Sequence, residues 1–167
     1  MNPHASADID APIERVWAVM LDTGAYAEWN PFVVRAVCPS PPQVGDPITL
    51  HVRWANGRGA TSPERISVVE PPHHEDSVAR ATLAYVYEGL PARLGLVRGT
   101  RYQRLSQRPG GPTRYETVEE FSGPLVPLAG PGRVAEGFRR HAQALKERCE
   151  GTVTPPPSPS PPPRGRL

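Results

Sequence analysis

The densest chemistry in this chain lies in two facing segments, "RGTRYQRLS" at 98–106 and "TRYETVEEFS" at 113–122. Both have strand length, and the turn-forming "RPGGP" lies between them, the pattern of a β-hairpin. Symmetry about Gly110 sets Arg101 opposite Glu119, Gln103 opposite Thr117, Leu105 opposite Tyr115, and Gly99 opposite Phe121. Side chains alternate along a strand, so these eight share one face. The other face carries Tyr102 with Val118, Arg104 with Glu116, and Ser106 with Arg114. Phe121, Leu105 and Tyr115 make the odd-numbered face the expected inward one, and a one-residue slip would reverse it. Turned inward, Arg101 and Glu119 form a cross-strand pair withdrawn from water, beside Gln103 and Thr117. A buried ion pair is often no net stabiliser. Two readings follow. The pair is structural and satisfied in place, or it meets a carbonyl, phenol or carboxylate on an otherwise apolar ligand.

Other searches for reactive groups return little. The chain has no GxSxG, no phosphate-binding glycine loop and no HExxH. His73 and His74 are adjacent after two prolines, which suits a solvated turn better than a metal site. His141 sits beside the apolar stripe of a helical segment. A partly exposed helix histidine is expected there, and a general base only if the ring points inward. Cys38 and Cys149 have neither disulfide-framework nor metal spacing. No metal and no cofactor are expected.

The elements that must position these groups can be read from periodicity. "HASADIDA" alternates weakly, as a first strand. Pro12 opens a helix whose Ile13, Val16, Trp17 and Met20 recur at three and four residues. Asp22 or Thr23 is placed to cap a second short helix through Tyr26 to Trp29, which Asn30-Pro31 ends. Six strand-like runs follow: 32–37, 48–54, 64–70, 78–87, 98–106 and 113–122. The segments "SPPQVGDP", "NGRG", "EPPHHED", "GLPARLG" and "RPGGP" separate them. A final helix, "GRVAEGFRRHAQALKERCE", aligns Val134, Phe138, Ala142, Leu145 and Cys149 on one face, with Lys146 and Glu147 on the wet side. Strands in series, then a helix segregated to one side, make an α+β pattern: a bent antiparallel meander clasping its last helix.

Composition narrows the partners. The chain has 167 residues, suited to one domain, and a net charge of +2, too small to argue for nucleic acid. Eighteen arginines against one lysine, Lys146, reflect a GC-rich genome more than a basic function, as in a bacterial protein. "MNPHASADIDAP" lacks a basic region followed by an apolar run, and no segment reaches 18 consecutive apolar residues. A cytoplasmic protein with reduced thiols and no integral membrane segment is expected. Residues 151–167, "GTVTPPPSPSPPPRGRL", are expected to form a disordered tail outside a 1–150 domain. A solvated tail is the simpler reading, and a weak PxxP-directed partner is the other.

The stretch "IDAPIERVWAVMLDTGAYAEWNPFV" at 9–33 resembles the opening of the START-like, or SRPBCC, superfamily, most closely its polyketide cyclase/dehydrase-like branch. "VVEPP", "GTRYQRL", "TRYETVEEFSG" and "ALKERCE" agree in order, so the resemblance covers roughly residues 5–150. It implies a helix-grip fold: a seven-stranded curved antiparallel sheet around a long C-terminal helix, closed at one end by two short helices. It also implies that Gly99, Arg101, Gln103, Leu105, Glu119 and Phe121 face inward. Trp17 and Trp29 would pack the short helices under the sheet, with ligand contact the alternative role for Trp29.

A cavity between sheet and helix would take its apolar lining from Ile48, Leu50, Val52 and Trp54, from Ala79, Ala81, Leu83, Tyr85 and Tyr87, and from Phe138, Ala142 and Leu145. Core packing is the competing role for each. Many apolar groups with few polar ones is the composition of a small-molecule site. The expected ligand-binding set is Trp54, Tyr85, Arg101, Gln103, Thr117, Glu119, Phe121 and Phe138. "EGLPARLGLVRG" and "GPLVPLAGPG" carry leucines among Gly and Pro, as lids over an apolar mouth would. The function expected first is binding of a hydrophobic small molecule such as a lipid, polyketide or isoprenoid. An aromatase/cyclase-like enzyme is second. A protein-interaction module with an occluded cavity is third.

Overall fold

The computed structural model describes residues 2–151. The Pro-rich segment 152–167, expected to be a disordered tail, lies outside the described residues.

Strand β1 (His4–Ile9) leads into helix α1 (Ile13–Leu21), whose Ile13, Val16, Trp17 and Met20 are all buried, as their spacing requires. A single 3-10 turn, Thr23–Ala25, joins it to the short helix α2 (Tyr26–Trp29). Neither Asp22 nor Thr23 caps this segment with its side chain, contrary to expectation. Burial of Tyr26 and Trp29 holds the turn instead. A helix this short is marginal without such tertiary packing.

Six more strands follow: β2 (Val33–Val37), β3 (Pro47–Arg53), β4 (Gly59–Glu75), β5 (Val78–Tyr87), β6 (Arg98–Gln107) and β7 (Thr113–Ser122). All neighbours are antiparallel, in the order β1-β7-β6-β5-β4-β3-β2. The β6–β7 register is the expected one: Arg101 pairs with Glu119, Gln103 with Thr117, and Leu105 with Tyr115. Gly99, Arg101, Gln103, Leu105, Tyr115 and Thr117 are buried, so the odd-numbered face is concave.

Strand β4 is far longer than the expected 64–70. "EPPHHED" is not a turn; the strand runs through Pro71 and Pro72 to Glu75. A register shift between Glu70 and His73 leaves the prolines out of the ladder pairing, which removes their missing donors as an obstacle. The turn shrinks to Asp76 and Ser77, both at positive φ, the conformation a tight hairpin demands. His73 and His74 therefore lie exposed on a strand rather than in a solvated turn.

Helix α3 (Leu90–Arg93) interrupts the loop after β5, and a 3-10 turn (Val126–Ala129) interrupts the loop after β7. Helix α4 (Pro131–Glu150) then crosses the concave face and buries Phe138, Ala142, Leu145 and Cys149, the expected stripe, with Val134 half-buried at its start. Gly137 permits a close approach: a Cβ there would lie 2.4 Å from the Phe32 ring. Lys146 donates to the Asp8 carbonyl at 2.6 Å, and Arg148 pairs with Glu28 at 2.7 Å, tying the helix's outer side to β1 and α2. Among the described residues, no helix is long and apolar enough to cross a membrane.

Candidate functional site

Between the sheet and the first half of α4 lies a cavity of about 370 Å³. Its walls rise from the alternation of the strands. Leu50 and Val52 of β3, with Trp54 just beyond, form one side. Glu64 of β4 and Tyr87 of β5 form the next, and Arg101 of β6 with Glu119 and Phe121 of β7 the third. Phe138 and Val134 of α4 close the top. The mouth is bounded by Pro91 and Val97 from the loop after β5 and by Leu125, Leu128 and Ala129 from the loop after β7. Both expected lid segments thus border the cavity. They are joined directly, because Leu125 donates its backbone N–H to the Leu96 carbonyl at 3.0 Å. Gly123 makes this possible: its φ is +118°, and a Cβ would lie 2.5 Å from the Leu96 oxygen.

Five of the eight expected binding residues reach the cavity wall: Trp54, Arg101, Glu119, Phe121 and Phe138. Tyr85, Gln103 and Thr117 do not. They lie fully buried beneath it, in a connected polar network. Arg101 Nε donates to Thr117 Oγ1 at 3.0 Å, and Nη2 reaches the Tyr115 hydroxyl at 3.5 Å. Tyr115 donates to Gln103 Oε1 at 2.8 Å, and Gln103 Nε2 donates to the Tyr85 hydroxyl. The guanidinium lies 4.2 Å from the centre of the Phe138 ring, within cation–π range. Burial raises the Tyr85 and Tyr115 phenols above their usual range, so both hold their protons as donors.

The expected Arg101–Glu119 ion pair does not form. None of the ion pairs among the described residues involves Arg101, Glu64 or Glu119. Thr117 and Tyr115 hold the guanidinium instead, and Glu119 leans away over Gly99. A Cβ at Gly99 would lie 2.5 Å from Glu119 Oε1, so the missing side chain is the space the carboxylate occupies. Without an ion partner, desolvation dominates both acids. Burial, then the charge of Glu64, pushes the Glu119 carboxyl up to about 8 against the opposing pull of Arg101. Burial pushes Glu64 up to about 7, opposed by the Ser62 hydroxyl and Arg101.

Glu64 is the residue sequence reasoning missed. It shares the parity of buried Ile66 and lies opposite buried Ile48. That parity was available in "ERISVVE", but a charged residue opening a short run looks like a solvated strand end. Extending β4 back to Gly59 is what turns it inward.

His141 was expected to be partly exposed and is only 1% exposed. Asn30 explains the burial. Its Oδ1 accepts the backbone N–H groups of Phe32 and Val33 at 3.0 and 2.9 Å, and its amide donates to His141 Nδ1 at 2.8 Å. Accepting at Nδ1 fixes the neutral ring with its proton on Nε2. Burial, then the charge of Arg101, pulls the His141 pKa well below the usual imidazole range. The ring stacks on Tyr115 at 5.9 Å and meets Tyr26 and Trp29 edge-on. Trp29 is buried in this cluster and does not border the cavity, which makes packing its role. No group of three or more His, Cys, Asp or Glu residues among those described could hold a metal ion.

The sequence of residues 4–150 matches the model of the family described as polyketide cyclase / dehydrase and lipid transport. The chain belongs to this family. A search of curated proteins gives no match. Solved structures share its architecture. The chain is similar to the di-domain ARO/CYC protein BexL of the BE-7585A biosynthetic pathway, with a TM-score of 0.59 and 18% identity. There it covers 94% of this chain and 51% of the other, so it spans about half of the di-domain protein. A STAR-related lipid transfer protein fragment from Xanthomonas axonopodis gives a TM-score of 0.63 at 15% identity, over 87% of this chain and 84% of that one. A hypothetical protein from Helicobacter pylori gives 0.65 at 11% identity, over 87% and 86%. Identities this low carry the fold, and the site must be argued from its own residues.

Proposed function

We propose that this member of the polyketide cyclase / dehydrase and lipid transport family binds a single hydrophobic small molecule in the sheet–helix cavity. The apolar body would lie against Leu50, Val52, Trp54, Phe121 and Phe138, with the polar end directed at Arg101, Glu64 and Glu119. The observation carrying this reading is an open, mainly apolar cavity whose charged lining groups are Arg101, Glu64 and Glu119 alone. Trp54, Phe121 and Phe138 supply aromatic surface without polar demands of their own. The polar base beneath fixes Arg101, so the guanidinium needs no reordering when a ligand arrives.

Native mass spectrometry of the purified chain tests the reading: a co-purifying small molecule supports it. The substitution Arg101→Leu should then lower affinity for a ligand ending in a carbonyl by about tenfold, the worth of one charge-assisted hydrogen bond. Folding stability should fall by less in free energy. Equal losses would make Arg101 a structural residue only.

A second reading, an aromatase/cyclase-like enzyme, is favoured by one specific feature. Glu64 and Glu119 are titratable carboxyls near neutral pH lining the same cavity, one suited to accept a proton and the other to give one. Enclosure of a flexible polyketone would align its reacting carbons. Incubation with a poly-β-ketone thioester separates the readings: a change in the ring-closure products, lost in Glu64→Gln, indicates catalysis.

A further inference from the structure

Two acids and one base at the polar end of an oily cavity constrain what the ligand can be. Glu64 and Glu119 arrive from opposite ends of a four-strand span, β4 to β7, and the curl of the sheet brings both to the same cavity, from adjoining sides. Neither is neutralised by an ion pair. Two of the Arg101 nitrogens are committed to Thr117 and Tyr115, and its flat face is committed to Phe138. The other polar groups lining the cavity are Tyr87, Thr61 and Ser62. Tyr85 and Tyr115, beneath Arg101, keep their phenol protons, and His141 of α4 is held neutral, so none of the three adds a charge. At the cavity itself α4 presents Phe138 and Val134. Arg133 stands outside, 5.2 Å from the centre of the Trp54 ring.

We propose that Glu64 and Glu119 hold one proton between them and, with Arg101, act as an anion filter, admitting a ligand whose polar end is an uncharged oxygen and rejecting a carboxylate. The inference rests on the cavity being the binding site. Its logic is a count of charges. With one proton on the pair, one carboxylate balances Arg101 and the site is neutral. A ketone or phenol oxygen accepts the proton-bearing carboxyl's hydrogen bond and leaves that balance intact. A carboxylate brings a further negative charge into a space with little water to screen it, so it binds only if the pair takes up a second proton. A cationic head meets the guanidinium instead. The raised carboxyl values given above agree with this count, and Gly99 contributes by leaving Glu119 room to stand off from Arg101.

The test is a matched pair of ligands, 2-tridecanone and dodecanoate, which differ only in methyl against carboxylate oxygen. Each is titrated against the full chain preloaded with the neutral dye Nile red. At pH 7.5 the ketone should displace the dye at a concentration about tenfold or more below that of the acid, since like charges set side by side cost heavily. The acid should gain affinity as pH falls from 8.5 to 6, while the ketone changes by less than about twofold. In the Glu64→Gln, Glu119→Gln double variant the acid should gain about tenfold at pH 7.5 and lose its pH dependence. Should that variant fail to fold, the wild-type ratio and its pH trend still decide. Dodecanoate binding as tightly as the ketone at pH 7.5 would overturn the filter and leave the cavity reading intact. Failure of the dye and of both ligands to bind would overturn the cavity reading, and the filter with it.

Discussion

The floor and the mouth of the cavity are built on opposite terms. On the floor, Tyr85, Gln103, Tyr115, Thr117 and Arg101 bond to one another, and Asn30 ties His141 to the start of β2. These side chains are almost entirely buried. At the mouth Leu128 is 75% exposed, and Leu90 and Leu94, on either side of Pro91 in the neighbouring loop, are 68% and 62% exposed. A buried polar network specifies one geometry and penalises any loss, although His141 Nε2 finds no partner among the described residues. Exposed leucines beside an apolar opening stabilise the fold little and cover whatever enters. Stability therefore resides in the floor; under the proposed function, exchange belongs to the mouth.

Breaking the floor should give the largest effect. Asn30→Ala strips acceptors from two backbone N–H groups and a donor from His141, so a loss of about 3 kcal/mol is expected in chemical denaturation. A loss below about 1 kcal/mol would mean that these groups find other partners.

The floor and the wall above it should also respond oppositely to pH. Burial holds His141 below its ordinary value, so its contribution to stability is present above about pH 6.5 and is lost as pH falls. Glu119 is held up near 8, so its contribution is full below about pH 4.5 and is lost as pH rises through 8. Glu119→Gln should accordingly raise Tm relative to wild type more at pH 8.5 than at pH 5. An equal difference at both would show that the carboxyl titrates normally.

The smallest effect on stability should come from the mouth. Leu128→Ser should leave unfolding free energy within about 0.5 kcal/mol. It should accelerate release of a bound apolar dye in stopped flow, whereas an unchanged release rate would make the loop a bystander.

Most of the fold was legible because period-two alternation is strong in β3, β5 and the β6–β7 hairpin, and Gly110 fixed that hairpin's register. Strand β4 was half hidden, since Pro63, Pro71 and Pro72 look like breaks; yet Pro63 pairs with Thr49 in regular register, and a register shift between Glu70 and His73 accommodates the other two. The site was legible in part. Arg101, Glu119, Phe121, Trp54 and Phe138 follow from parity and helix stripe. Depth does not follow from them, because parity states which face a residue is on and not how far along the groove. Tyr85, Gln103 and Thr117 consequently fell in the floor rather than the wall. Nor does parity report partners. The Arg101–Glu119 pairing failed because Thr117 and Tyr115 compete for the guanidinium and Gly99 gives the carboxylate somewhere else to go.

The most direct test of the cavity as a ligand site is to fill it. Ser62 borders the cavity from β4, and Ser62→Trp would occupy the space without vacating any of the core. Nile red should bind the wild-type chain at one site with a blue-shifted emission, and the filled variant should lose that signal while keeping its Tm within a few degrees. Undiminished dye binding by a folded Ser62→Trp chain would place the apolar site elsewhere and contradict the account.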